Sequence, residues 1–452
     1  MEIKEICRSL AYEMSKKGVY PSVLYQYSKG TFVFTDKNER RIQDIPTLKG
    51  IVLSVFNGKE TDEYATYDID YNKILKEAKR LKERIKGGNF SLPIENIESD
   101  FKTECEIEPE KISIKEKLEL VENFKEKMIK RDKRIVNVQS AYIESEDYKV
   151  FSDGNKTLSQ SIIRTRVFLM VQVMEGNIVR WNYLIKGIEG GYEVTRISDE
   201  ELEKLCSVAL ELLGAKKIEP GFYDCIVDPS VSGVIAHEAF GHGVEMDMFV
   251  KGRAKAKEYL LKRVGSDVVN IYDDPTIKGA FGSYFFDDQG TIAKRTHIVQ
   301  NGIFKNGLTD LLSYTRLKTE RSANGRRESF KRKVYARMSN TFFGKGDKKI
   351  EDMITNLENG VFIERVEGGM EDPKGWGMQV NALIARDVKG GKFTGKIFSP
   401  IIITGYVPDI LMSITECSDS FELDSGGCGK GHKEIVPVST GGPHLRLKAR
   451  LE

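Results

Sequence analysis

The sequence predicts an α+β protein: an N-terminal α/β domain with a sheet and flanking helices over residues 1–215, and a mainly antiparallel β domain over 216–452 that carries one metal-binding helix. Three observations lead there. A chain of 452 residues exceeds one ordinary hydrophobic core, so two or more domains are expected. Only 11 of its 41 glycines fall in residues 1–200, which makes the second part turn-rich and puts a boundary near 200–225. The clear amphipathic helical patterns lie before that boundary, and short apolar runs between glycine turns follow it.

In chain order, GIVLSVF (50–56) reads as a strand because β-branched and apolar residues dominate it. Residues 71–88 place Ile74, Ala78, Leu81 and Ile85 at helical spacing and end on Gly87-Gly88, and 114–131 repeat the pattern with Leu118, Val121, Phe124 and Met128. SAYIESEDYKVFS (140–152) reads as a hairpin and QSIIRTRVFLMVQVME (160–175) as a strand. A further helix is predicted over 200–214, ending at Gly214, and an important one over 230–245. Asn301-Gly302, Asn306-Gly307 and Asn359-Gly360 are hairpin-type dipeptides, since glycine accepts positive φ without a Cβ penalty.

Composition narrows the function. Seventy Lys plus Arg against 68 Asp plus Glu leave a net charge of +2, so no global field marks a nucleic-acid or membrane-surface binder. The first residues, MEIKEICRSLAYEMSKKG, lack the uninterrupted apolar core of a signal peptide, and no run approaches a membrane span. Six scattered cysteines without a C-x-x-C pair are unlike a secreted disulfide framework. The expectation is a soluble cytoplasmic protein.

The chemistry concentrates in AHEAFGHGVEMD (236–247). Two of the chain's five histidines, His237 and His242, flank Glu238 there. Neutral imidazoles bind zinc well, and an adjacent carboxylate can take a proton from an activated water. The spacing is one residue longer than in HExxH, where the histidines stand roughly 40° apart on a helix; His237 and His242 would stand roughly 140° apart on an undistorted one. Gly241 offers the repair, by a π-type turn or by ending the helix. The alternative is a pair of packing histidines beside a solvent-facing glutamate. A catalytic zinc needs a third protein ligand. Candidates are Cys428, His432, His444, Cys417, His297, Glu245 and Asp247, and Cys428 has the most suggestive setting, in what reads as a flexible glycine-rich loop, DSGGCGKGHK. That loop is not a Walker A motif, because Gly431 follows Lys430.

HEAFGHGVEMD (237–247), GSYFFDDQGT (282–291), SANGRRES (322–329), RMSNTFF (337–343) and CGKGHKEIVPVSTGGP (428–443) together resemble the TldD/PmbA family, TldD-like metallopeptidases once described as modulators of DNA gyrase. The resemblance covers most of the chain and implies His237, His242 and Cys428 as ligands of one zinc per chain, with Glu238 as general base. It also implies an N-terminal α/β domain joined to a largely antiparallel β domain, short or unfolded peptides as substrates, and either a homodimer or a heterodimer with a metal-free family companion. Two departures stand out: Ala336 where a proline is expected, and His432 in a variable loop. The basic run over 316–337 admits a solvated face or a nucleic-acid surface, but lacks the interleaved aromatics of a single-strand binder, so nucleic acid is not the expected partner. The resemblance adds a third reading, with Arg326, Arg327 or Arg337 near the cleft and available to a peptide carboxylate or carbonyl. The rival to a peptidase is a non-catalytic subunit acting on a DNA-associated protein or on nucleic acid.

Overall fold

The computed structural model describes residues 1–431 and 434–452; His432, weighed above as a substitute ligand, lies outside the described residues. Residues 1–214 build one seven-stranded sheet with helices on one face. In chain order these are α1 (Ile3–Glu13), β1 (Tyr20–Thr35), β2 (Arg40–Phe56), β3 (Thr61–Thr66), α2 (Tyr71–Arg84), β4 (Glu98–Lys102), α3 (Ile114–Ile129), β5 (Ile135–Ser152), β6 (Thr157–Glu175), β7 (Ile178–Glu189) and α4 (Asp199–Glu211). The strand order is β3-β2-β1-β5-β6, and successive stretches of β6 pair with β4 in parallel and with β7 antiparallel. Ser113 and Ser198 close capping boxes that fix where α3 and α4 begin. Leu10, Ala78 and Leu81 of α1 and α2 pack on Val23, Leu53 and Val55, while Val121, Phe124, Leu202 and Leu205 of α3 and α4 pack on Val138, Val167 and Leu169.

The opposite face of this sheet meets the second half of the chain. Leu24, Phe151 and Leu158 pack on Phe286, and Lys149 Nζ donates to Asp288 at 2.7 Å. The second half comprises β8 (Gly221–Val227), α5 (Pro229–Phe240), α6 (Met246–Val250), β9 (Ile271–Asp273), β10 (Thr296–Gln300), β11 (Ile303–Phe304), α7 (Leu311–Leu317), β12 (Gly325–Arg326), β13 (Tyr335–Ala336) and β14 (Asn340–Phe343), then α8 (Ile350–Thr355), β15 (Asn359–Asp372), β16 (Gly377–Lys389), β17 (Lys392–Phe398), β18 (Ile401–Tyr406), α9 (Val407–Met412), β19 (Glu416–Cys417), β20 (Glu422–Lys430), β21 (Glu434–Gly442) and β22 (Leu445–Leu451). One sheet runs β11-β10-β9-β14-β21-β20. In the other, β15-β8-β22-β18-β16 closes on itself because β16 also pairs β15.

Helix α5 lies between these two sheets. It is apolar nearly all round, as a helix enclosed on most sides must be, and ten of its twelve residues are buried. Burying side chains such as Ile235 and Phe240 contributes about 1.5–3 kcal/mol each. Asp228 caps its start by accepting from Val231 N at 2.9 Å, with Pro229 at the first helical position. Gly233 lets the helix approach β21 closely: a Cβ there would stand 2.3 Å from Gly441 N.

Three expectations need correction. Residues 140–152 are not a hairpin but part of the single strand β5. The charged run in its middle reads as a turn, yet Lys117 holds Glu144 at 2.7 Å, Lys29 holds Glu146 at 3.2 Å, and Gln26 and Ser28 donate to Asp147, so the ladder continues through it. Of the three Asn-Gly pairs only Asn301-Gly302 makes the tight hairpin, with φ of 48° and 74° between β10 and β11; Asn359-Gly360 opens β15 instead. The glycine-rich segment around Cys428 is strand β20, paired with β21 from Glu422 to Lys430, rather than a flexible loop. Among the described residues no helix is long and apolar enough to cross a membrane.

Candidate metal centre

The histidine spacing is accommodated by a break rather than by a widened turn. Helix α5 ends at Phe240, Gly241 follows with φ −99° and ψ −80°, and His242 begins a short 3-10 turn over His242–Val244. The Gly241 N–H still donates to His237 O, closing the helix. A Cβ on Gly241 would lie 1.9 Å from Met338 Sδ and 2.2 Å from His237 O, so no other residue fits this corner. Trp376 Nε1 donates to Ala239 O at 3.3 Å and satisfies one of the freed carbonyls.

The two imidazoles consequently converge, with ring centroids 5.2 Å apart and planes at 88°. From the facing sheet, β20 brings Cys428 Sγ to 3.3 Å from His242 Nε2. One ligand atom from each of His237, His242 and Cys428 falls within 4.8 Å of the other two. A tetrahedral zinc with bonds of about 2.0–2.3 Å needs donor separations of roughly 3.3–3.6 Å, so only a small contraction seats the ion. His237 Nδ1 is buried without a hydrogen-bond partner, and two imidazoles with one sulfur form a donor set suited to zinc. The residues fit the metal that the family resemblance implies. Burial alone would push the Cys428 thiol up, but His242 and His237 beside it bring it well below its ordinary value. His242, despite burial, rises well above the usual imidazole range through Cys428 and Glu245.

Glu238 follows His237 on α5 and lines a cleft of about 1100 Å³ that also reaches His237. The cleft runs between the outer edge of β7 at Tyr183–Gly187, the cleft-facing side of α5, β15 and β20. Gly369 on β15 makes room for the glutamate, since a Cβ there would lie 2.8 Å from Glu238 Cγ.

The remaining third-ligand candidates among the described residues lie outside this cluster. His444 Nδ1 is 3.0 Å from Ser420 Oγ, His297 stacks on Tyr272, and the buried Cys417 Sγ contacts Val268 O. Glu245 and Asp247 are adjacent but face Lys430. The three arginines expected to meet a peptide are also placed differently: Arg326, Arg327 and Arg337 are 6%, 5% and 0% exposed, and none lines the cleft. Arg326 donates to Met338 O and Pro437 O, Arg327 to Arg332 O and Glu63, and Arg337 to Cys428 O and Glu434 O. They bind the protein's own carbonyls and a carboxylate because a guanidinium without such partners is too costly to bury.

Residue-level reading missed Glu371 on β15. Both its carboxylate oxygens are buried without a partner, and burial, with Glu238 adding and His242 opposing, pushes it up to about 8. No spacing or motif marks it; only the curl of β15 over Gly243 brings it to the site, where a Cβ on that glycine would be 3.2 Å from its Oε1.

A family model described as the PmbA/TldA metallopeptidase C-terminal domain matches residues 220–450. A metalloprotease of Methanocaldococcus jannaschii is 32% identical over 360 residues, covering 78% of this chain and 77% of its own. A zinc metalloprotease TldD homolog of Saccharolobus solfataricus is 28% identical, covering 68% and 67%. Among solved structures, a proposed modulator of a DNA gyrase from Thermotoga maritima superposes with TM-score 0.80 at 20% identity over 100% of both chains, and TldE from Thermococcus kodakarensis with 0.72 at 15% identity over 99% of both. At those identities the structures speak to the fold. With a family model spanning the site-bearing half and a relative above 30% identity over three quarters of the chain, this protein belongs to the TldD/PmbA family.

Proposed function

We propose that the protein is a zinc-dependent peptidase that hydrolyses short or unfolded peptides, with one zinc per chain held by His237, His242 and Cys428. The observation that carries this reading is the convergence of those three donors within 4.8 Å, with His237 among them lining a cleft that Glu238 also lines. Zinc bound there supplies Lewis acidity toward a peptide carbonyl and a nucleophilic water near neutral pH. Glu238 takes the proton of the attacking water and delivers it to the leaving amine, general acid–base work for a carboxylate held beside the reacting bond. The unpaired edge of β7 along Tyr183–Gly187 supports an extended peptide as the substrate: backbone hydrogen bonds to a sheet edge give affinity with little dependence on side chains. The chain works as a homodimer or with a metal-free family companion, which light scattering of the purified protein and co-purification from its source distinguish.

The rival reading through nucleic acid loses support from the basic run, because three of its arginines are buried against protein groups and cannot contact phosphates. Metal analysis should find about one zinc per chain. Glu238→Gln should retain that zinc and lose most peptide hydrolysis; equal hydrolysis by variant and wild type, with contaminating proteases excluded, overturns the mechanism.

A further inference from the structure

Cys428 and Lys430 stand two residues apart on β20 and so project to the same side of the strand. The Lys430 ammonium is nearly buried, with its side chain 12% exposed, and lies 2.8 Å from Glu245 Oε2, 2.7 Å from Asp247 Oδ1 and 3.2 Å from Ala336 O. All three of its donors are thereby used. Glu245 Oε2 is also 3.4 Å from His242 Nδ1, on the ring whose Nε2 faces Cys428. A closed circuit results: Cys428 to Lys430 through the strand, Lys430 to Glu245 and Glu245 to His242 through polar contacts, and His242 back to Cys428. Arg337 braces it, donating to Cys428 O and lying 3.7 Å from Glu245 Oε1.

We infer that Lys430 is a positioning residue for the metal centre, clamping Glu245 so that the His242 ring and the Cys428 sulfur hold their separation before an ion arrives. The inference rests on the metal reading of His237, His242 and Cys428 and adds a residue that touches neither metal nor substrate. His242 follows a helix break and opens only a three-residue 3-10 turn, so its ring orientation depends on what holds Nδ1; such outer contacts tune metal affinity by about 10–100-fold. A lysine that only balanced buried charge would serve Asp247 as well as Glu245. A positioning lysine acts through Glu245 alone.

The test uses the full chain stripped of metal and titrated with zinc against a chromogenic chelator, then with Co(II), whose absorption bands report ligand geometry. Lys430→Met keeps the stem and removes the ammonium. It should weaken zinc binding about 10–100-fold and shift the cobalt bands. Asp247→Asn should leave both near wild type even if it lowers Tm. Should Lys430→Met not fold, Glu245→Asp retracts the carboxylate from His242 without changing charge, and it should reproduce the weakened binding and shifted bands. Wild-type zinc affinity and an unchanged cobalt spectrum in Lys430→Met, or in Glu245→Asp where only that variant folds, overturn the inference. A wild-type protein that binds neither ion overturns the metal reading instead.

Discussion

The helix-covered face of the N-terminal sheet and the surroundings of the candidate metal centre are both buried, but on opposite terms. Under α3 and α4 the sheet is closed by Val121, Phe124, Leu202 and Leu205 against Val138 and Val167, contacts that are non-directional and tolerant of small shifts. Around His242 the buried groups are Glu245, Asp247, Lys430 and Arg337, each with few partners and little slack. The first region is stabilised by area and the second by stoichiometry of donors and acceptors. Losing a methylene costs a fraction of the first; losing one charge leaves another uncompensated in the second.

That difference sets the effects expected of substitutions. Arg337→Met should be the most damaging, by about 3–5 kcal/mol in urea unfolding, because it leaves the buried Cys428 and Glu434 carbonyls without their donor and removes one of the two cations beside Glu245, and zinc retention should fall with it. Leu202→Ala, fully buried in α4, should cost about 2–5 kcal/mol while zinc per folded chain stays at the wild-type level. Parallel zinc loss in both variants would mean that the two regions are not energetically separate. Gly241→Ala should cost about 1–3 kcal/mol from its clash with Met338 and His237 O, and should lower zinc affinity although no ligand is removed. Unchanged affinity there would show that the corner can relax.

The smallest effect concerns pH. Glu371 is raised from 4.5 to about 8, so the folded metal-free protein holds a proton that the unfolded chain releases. Its contribution is fully present below pH 4.5 and is lost as pH rises toward 8, because the native state binds more protons across that window. Glu371→Gln should flatten this decline, by on the order of 2 kcal/mol between pH 5 and 8, as measured by denaturant midpoints of the zinc-free protein. An identical pH slope in variant and wild type would place Glu371 in solvent.

Much of the molecule is legible in its sequence, and the reason differs by region. Ile74, Ala78 and Leu81, or Val121, Phe124 and Met128, repeat at helical spacing, and periodicity survives any tertiary arrangement. His237, Glu238 and Gly241 were legible as chemistry plus a stereochemical demand, and of the two solutions the demand allowed, the chain takes the helix end. Charged side chains were not legible in the same way. Arg326, Arg327 and Arg337 carry the composition of a surface, and only folding reveals that Pro437, Glu63 and Cys428 wait for them. Glu371 has no signal at all beyond its identity.

Strand β20 ends its sheet, and a glycine-rich sheet edge is ordinarily a template on which other chains aggregate. Here β7 stands across the cleft from that edge, and Arg166 of β6 donates to Gly426 O on β20. Both β6 and β7 belong to the first half of the chain, which therefore covers the edge of the second. A fragment beginning near residue 215 would lack that cover and present β20 to its copies, which makes self-association the foreseeable failure of any attempt to produce the C-terminal half alone.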